Sequence, residues 1–171
     1  QVQIAHESWP IAGSFTISRG SKTAADVVVV TVTENGVTGR GECVPYPRYE
    51  ETVPQVVSAL EAARGAIENG LTRADIARHV APKAARNALD CALWDLEAKR
   101  AGKPVWQLAG IAAPQPVITA YTLSLDTPEA MGKAAANAAD RPLLKLKLGR
   151  AGDEERIDAI RQAAPKARLV V

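Results

Sequence analysis

The segment Leu143-Leu144-Lys145-Leu146-Lys147-Leu148-Gly149 constrains the fold of this chain more than any other. It reads as a β-strand closed by a glycine. Side chains alternate across a strand, so Leu144, Leu146 and Leu148 share one face, and Leu143, Lys145 and Lys147 share the other. Its neighbours repeat a rhythm. Val117–Leu125 reads as a strand, and Thr127-Pro128-Glu129 supplies the N-cap and first turn of an alanine-rich helix ending near Asp140. Asp153 opens a helix carrying Ile157 and Ile160, Pro165 ends it, and Ala167–Val171 begins a third strand. Strand–helix–strand–helix–strand at this spacing predicts parallel pairing with right-handed crossovers. Such strands are covered on both faces. Two lysines on one face are then costly unless that face lines a cavity, which a parallel barrel provides at the C-terminal ends of its strands. An edge strand with a wet, lysine-rich face satisfies the same pattern, because charged edges block unwanted pairing.

The N-terminal part has a different grammar. Gln3–Trp9 reads as a first strand, and Asp26–Thr33, rich in β-branched residues, as a second. Glu34-Asn35-Gly36 is a hairpin signal, with Val37–Cys43 returning as the partner strand. Pro10–Thr23, carrying Arg19, and Val44–Glu50 read as long loops, which in compact domains are often functional. Two helices follow. Thr52 caps the first, Val53, Val56, Val57, Leu60 and Ile67 form its apolar stripe, and Gly70 stops it. The second runs from about Pro82 to Arg100, with Ala85, Ala88, Leu89, Ala92, Leu93 and Leu96 inward and Gly102 and Pro104 beyond its end. The organisation is therefore an α+β capping domain over residues 1–113, then residues 114–171 as the first two and a half βα units of a TIM-type barrel. The chain stops in the third barrel strand. A whole barrel takes roughly 200 residues or more, so a fragment of a longer enzyme is expected.

Composition excludes several classes. Net charge is +2 and the basic residues are scattered without interleaved aromatics, so no nucleic-acid partner is expected. No apolar run approaches the roughly 20 residues that span a bilayer. Cys43 and Cys91 lack CxxC spacing, which fits reduced thiols in a cytoplasmic protein better than a disulfide framework or a zinc site. His6 and His79 match no ligand spacing.

Several segments together carry a family resemblance over the whole chain. They are Ser18-Arg19-Gly20-Ser21-Lys22-Thr23, Gly41–Tyr49 (GECVPYPRY), Ala84–Leu96 (AARNALDCALWDL), Tyr121-Thr122 and Lys145-Leu146-Lys147. A cap of this kind followed by a barrel with a K-x-K strand resembles the enolase superfamily, in its muconate-lactonising branch. The two loop segments are similar to those of the dipeptide (L-Ala-D/L-Glu) epimerases. The resemblance implies metal-dependent epimerisation by proton abstraction α to a carboxylate, with a dipeptide as the small-molecule partner. It implies that Lys147 is the acid/base group, with Lys145 beside it. Arg19 would receive the substrate's glutamate carboxylate, and Thr122 would line the pocket. Mg²⁺ is the implied cofactor, and its carboxylate ligands would lie beyond Val171, as would an opposing lysine.

The chemistry suits these residues. Removing a proton α to a carboxylate creates a dianionic ene-diolate that a divalent cation stabilises. One lysine on each face of the α-carbon lets a single site invert a stereocentre. The same scaffold also carries muconate cycloisomerases and o-succinylbenzoate synthases, and fold alone does not choose among them. On its own the fragment is expected to be inactive. Association with itself, or with a complementing C-terminal chain, is the non-catalytic alternative, given the open edge at Ala167–Val171.

Overall fold

The computed structural model describes residues 1–149 and 151–171. By its internal contacts the chain divides into two compact units, Gln1–Trp9 with Ala25–Pro114, and Pro10–Ala24 with Gln115–Val171.

The chain begins with a long hairpin. Strands β1 (Val2–Ile17) and β2 (Gly20–Glu34) are joined by the two-residue turn Ser18-Arg19. Pro10–Thr23, expected as a loop, is instead the outer half of this hairpin. Phe15, Thr16, Ile17 and Thr23 supply aromatic and β-branched residues that extend both arms. The glycines and proline that suggested a loop are accommodated in it, with Gly13 at φ +79°.

In the first unit, β3 (Val37–Cys43) pairs antiparallel with β2, Glu34 opposite Val37, giving a three-stranded sheet in the order β1-β2-β3. The turn between them places Asn35 at φ +50° and Gly36 at φ +79°, the left-handed pair that a tight hairpin requires. After a 3₁₀ turn at Pro47–Tyr49 come α1 (Val53–Ala62) and α2 (Arg64–Glu68). Thr52 and Gln55 form a reciprocal capping box that satisfies the first free N–H groups of α1. The single helix expected up to Gly70 is divided at Ala63, yet Ile67 still joins the core. Short α3 (Ile76–His79) precedes α4 (Ala84–Ala101), which ends at left-handed Gly102 and is followed by α5 (Val105–Leu108). Helix α4 sits almost directly on β3, because Gly39 and Gly41 present no side chain to it. Val28, Val30, Leu60, Ala88, Leu89 and Ala92 form the centre of this core.

In the second unit, β4 (Tyr121–Leu123), β5 (Leu143–Leu146) and β6 (Arg168–Val170) form a parallel sheet in that order. Helices α6 (Pro128–Asn137) and α7 (Asp153–Ala163) connect them. Thr127 caps α6, its side chain accepting from the Ala130 N–H at 3.2 Å. Strand β4 is shorter than the expected Val117–Leu125. Its ladder with β5 begins only at Tyr121, opposite Leu144. Val117 and Ile118 are 85% and 60% exposed. Leu123, Leu125, Met131, Ala135, Leu144, Leu146 and Ile160 make a core between the sheet and both helices.

Candidate active site

The register of the parallel sheet arranges the candidate residues. Tyr121 pairs with Leu144, Thr122 with Lys145 and Leu123 with Leu146. Leu144 in turn pairs with Leu169, and Lys145 with Val170. Residues paired across a parallel ladder project to the same side. Leu123, Leu144 and Leu146 are buried in the helix-covered core, with Leu148 and Leu169 packed at its edge. Thr122, Lys145 and Val170 therefore form a row on the opposite face. Lys147 follows Lys145 by one pleat repeat, roughly 7 Å along the chain, just beyond the last paired residue of β5. Both lysines are half-buried.

The outer half of the β1–β2 hairpin closes around the C-terminal ends of these strands. The Leu125 N–H donates to the Thr16 carbonyl at 3.0 Å, and the Ser124 hydroxyl donates to the Ser14 carbonyl at 3.2 Å. Across the hairpin itself, the Thr16 and Ser21 hydroxyls lie 2.9 Å apart. Its turn rests on the loop after β5. A β-carbon at Gly149 would sit 3.2 Å from Ser18 Cβ. Ser18 thus meets the glycine two residues along from Lys147, and its neighbour Arg19 is exposed. Among the described residues, Arg19, Lys145 and Lys147 form no ion pair or side-chain hydrogen bond. Cationic groups left without partners beside a strand end suit recognition of an anion.

Sequence reasoning missed the residues that hold this end of the sheet in shape. Arg156, in the first turns of α7, is only 11% exposed at its side chain. Its Nε donates to the Asp126 carbonyl at 2.6 Å and its Nη1 to the Ala151 carbonyl at 2.7 Å. Nη1 also meets Asp153 Oδ1 at 3.2 Å, while Asp153 Oδ2 accepts the Gly149 N–H at 2.8 Å. The only signal in the sequence was an Asp–Arg pair three residues apart, which is ordinary on a helix surface.

Among the described residues no three His, Cys, Asp or Glu side chains cluster in a way that could hold a metal ion. The residues present therefore assign no metal ligand. The cysteines belong to the first unit. Burial pushes the Cys43 thiol up to about 11 despite a backbone hydrogen bond involving Val28, so it is a protonated core group. The segment after β3 is tied to the start of α4. Lys83 Nζ donates to the Tyr49 carbonyl at 2.6 Å, and buried Glu51 accepts the Ala84 N–H at 2.8 Å. No helix among the described residues is long and apolar enough to cross a membrane.

Residues 1–110 match the family model for the mandelate racemase / muconate lactonizing enzyme N-terminal domain. The chain belongs to that family, within the enolase superfamily. It is 44% identical to the L-Ala-D/L-Glu epimerase of Escherichia coli K12 over 172 aligned residues, covering 99% of this chain and 54% of the relative. An enolase family member from Agrobacterium tumefaciens with homology to dipeptide epimerases, solved with bound sodium and L-Ala-L-Glu, is 51% identical with a TM-score of 0.91. That match covers 98% of this chain and 52% of the other. The dipeptide epimerase of Enterococcus faecalis V583, complexed with Mg and L-Leu-L-Tyr, is 31% identical with a TM-score of 0.87, covering 99% and 51%. The chain thus spans about half the length of the relatives it matches.

Proposed function

We propose that the whole protein is a dipeptide epimerase acting on L-Ala-D/L-Glu-type substrates, and that this chain supplies its cap and the opening strands of its barrel. The observation that carries the reading is the shared face of Thr122 and Lys145, with Lys147 at the strand end and the Arg19 turn beside it. The relatives' dipeptide ligands support the substrate class. In this reading Lys147 removes or returns the α-proton on one face of the substrate's second residue, and Lys145 adds positive charge beside the substrate carboxylate. Arg19 binds the distal carboxylate through its planar fork, and Thr122 lines the pocket wall. A Mg²⁺ ion, held by carboxylates outside this chain, supplies charge stabilisation for the ene-diolate. A reducing cytoplasm suits the free thiols of Cys43 and Cys91.

The test is turnover of L-Ala-L-Glu by the full-length protein, followed by polarimetry with and without Mg²⁺. Lys147→Ala should lower kcat by on the order of 10²–10⁴-fold, the contribution of a positioned proton-transfer group. Wild-type protein that leaves the dipeptide unchanged but cyclises a muconate would move the activity to another enzyme of the same branch.

A further inference from the structure

We propose that Arg156, acting with Asp153, is a positioning residue for Lys147. This inference rests on Lys147 being the proton-transfer group. Two loops leave the sheet at the end where the candidate site lies, one after β4 and one after β5. A single guanidinium ties them together, with Nε on the Asp126 carbonyl of the first loop and Nη1 on the Ala151 carbonyl of the second. The Asp126 carboxylate holds the Thr127 N–H at 2.7 Å, so the first anchor is itself fixed at the start of α6. Asp153 completes the clasp. One oxygen meets Arg156, and the other takes the N–H of Gly149, two residues beyond Lys147.

Gly149 sits at φ +123°, a conformation only glycine adopts readily, and the Asp153 carboxylate holds its N–H there. Ser18 packs against the same glycine. The clasp therefore sets both the direction in which the chain carries Lys147 out of β5 and the surface on which the Arg19 turn rests. A surface ion pair needs none of this. Here the arginine is nearly buried and spends its donors on the backbones of two separate loops. Lysine cannot reproduce that fork, because an ammonium is a point donor.

The experiment measures α-proton exchange in D₂O by proton NMR in full-length protein, starting separately from L-Ala-L-Glu and L-Ala-D-Glu. If Lys147 works on one face of the α-carbon, displacing it slows exchange from one epimer far more than from the other. Arg156→Met should lower the rate for the epimer that depends on Lys147 by on the order of 100-fold, the scale expected for an ångström of misplacement. The other epimer should lose much less. Arg156→Lys should share the asymmetry, and it serves if the Met variant does not fold. Arg161→Met is the control. Arg161 bridges the Pro165 and Ala167 carbonyls at the other end of α7, so its loss should lower stability without changing the ratio. Equal losses for the two epimers in both Arg156 variants would overturn the positioning role while leaving Lys147 as the base. Undiminished exchange of both epimers by Lys147→Ala would overturn the underlying reading instead, and the inference with it.

Discussion

Replacing Gly41 with alanine should damage the first unit severely, and the structure gives the reason in distances. A β-carbon at Gly41 would lie 2.0 Å from the Ala88 carbonyl oxygen, 2.5 Å from the Ala92 nitrogen and 3.0 Å from Cys91 Cβ. The nearest two are backbone atoms of α4 and cannot rotate away. Reaching even 3.0 Å requires the helix to retreat by about 1 Å. A gap of that size forfeits roughly a quarter to a half of each affected dispersion contact. The contacts at risk are those of Ala88, Leu89 and Ala92, all fully buried. Overpacking commonly costs about 1–3 kcal/mol, and a displaced helix face puts this case at or above the upper end, about 3–4 kcal/mol. For a chain of this size each kcal/mol moves the melting temperature by about 2–4 °C, so a fall of roughly 6–16 °C is expected. Thermal melts followed by circular dichroism measure it. Gly65→Ala is the companion variant. Its β-carbon meets nothing within 4 Å, and it lies inside α2. It should gain about 0.5–1 kcal/mol from reduced chain entropy. A Gly41→Ala protein that melts within about 2 °C of wild type would refute the claim that glycine is there to admit the helix.

Three further expectations are open to direct measurement. Arg19→Met in the full-length protein should lower kcat/KM for Ala-Glu by roughly 30-fold to several thousand-fold, because a desolvated carboxylate without its partner costs about 2–5 kcal/mol. Ala-Leu should suffer much less, and equal losses would assign Arg19 to the hairpin's structure instead. Thr52→Ala removes the reciprocal capping box of α1 and should cost about 1 kcal/mol in urea unfolding, whereas Thr52→Ser should recover most of it. Burial holds the Cys43 proton in the folded state up to about pH 11, above its ordinary 9.0. Its contribution to stability is therefore complete below pH 9 and lost as pH rises toward 11. Wild type should lose more stability over that window than Cys43→Ala, and parallel losses would contradict the assignment.

The features legible in the sequence were those written in neighbouring residues. Asn35-Gly36 dictates a tight hairpin because two successive left-handed residues fit the twist of its strands. Thr52 and Thr127 announce helix starts, because a short side-chain oxygen reaches the free N–H groups of the first turn. The alternation in Leu143–Leu148 assigns leucines and lysines to opposite faces whatever surrounds the strand, since the period is two residues. The helical spacing of Ala85, Ala88, Leu89 and Ala92 likewise predicts which side of α4 is buried.

Tertiary structure decided whatever depended on a partner distant in the chain. Pro10–Thr23 contains glycines and a proline, and by composition it is a loop. It becomes strand because each arm finds the other and because Ser14 and Thr16 bond to Ser124 and Leu125, more than a hundred residues on. Val117 and Ile118 have strand-forming side chains, yet they stay exposed and β4 begins only at Tyr121, where the ladder with β5 begins. Arg156 looked like one solvated charge among many. Its importance lies in two backbone carbonyls, Asp126 and Ala151, which have no sequence signature at all. Local periodicity fixes which way a side chain faces. Only the folded chain fixes what it meets there, because the contacts that order a site join segments whose separation in sequence carries no information about their distance in space.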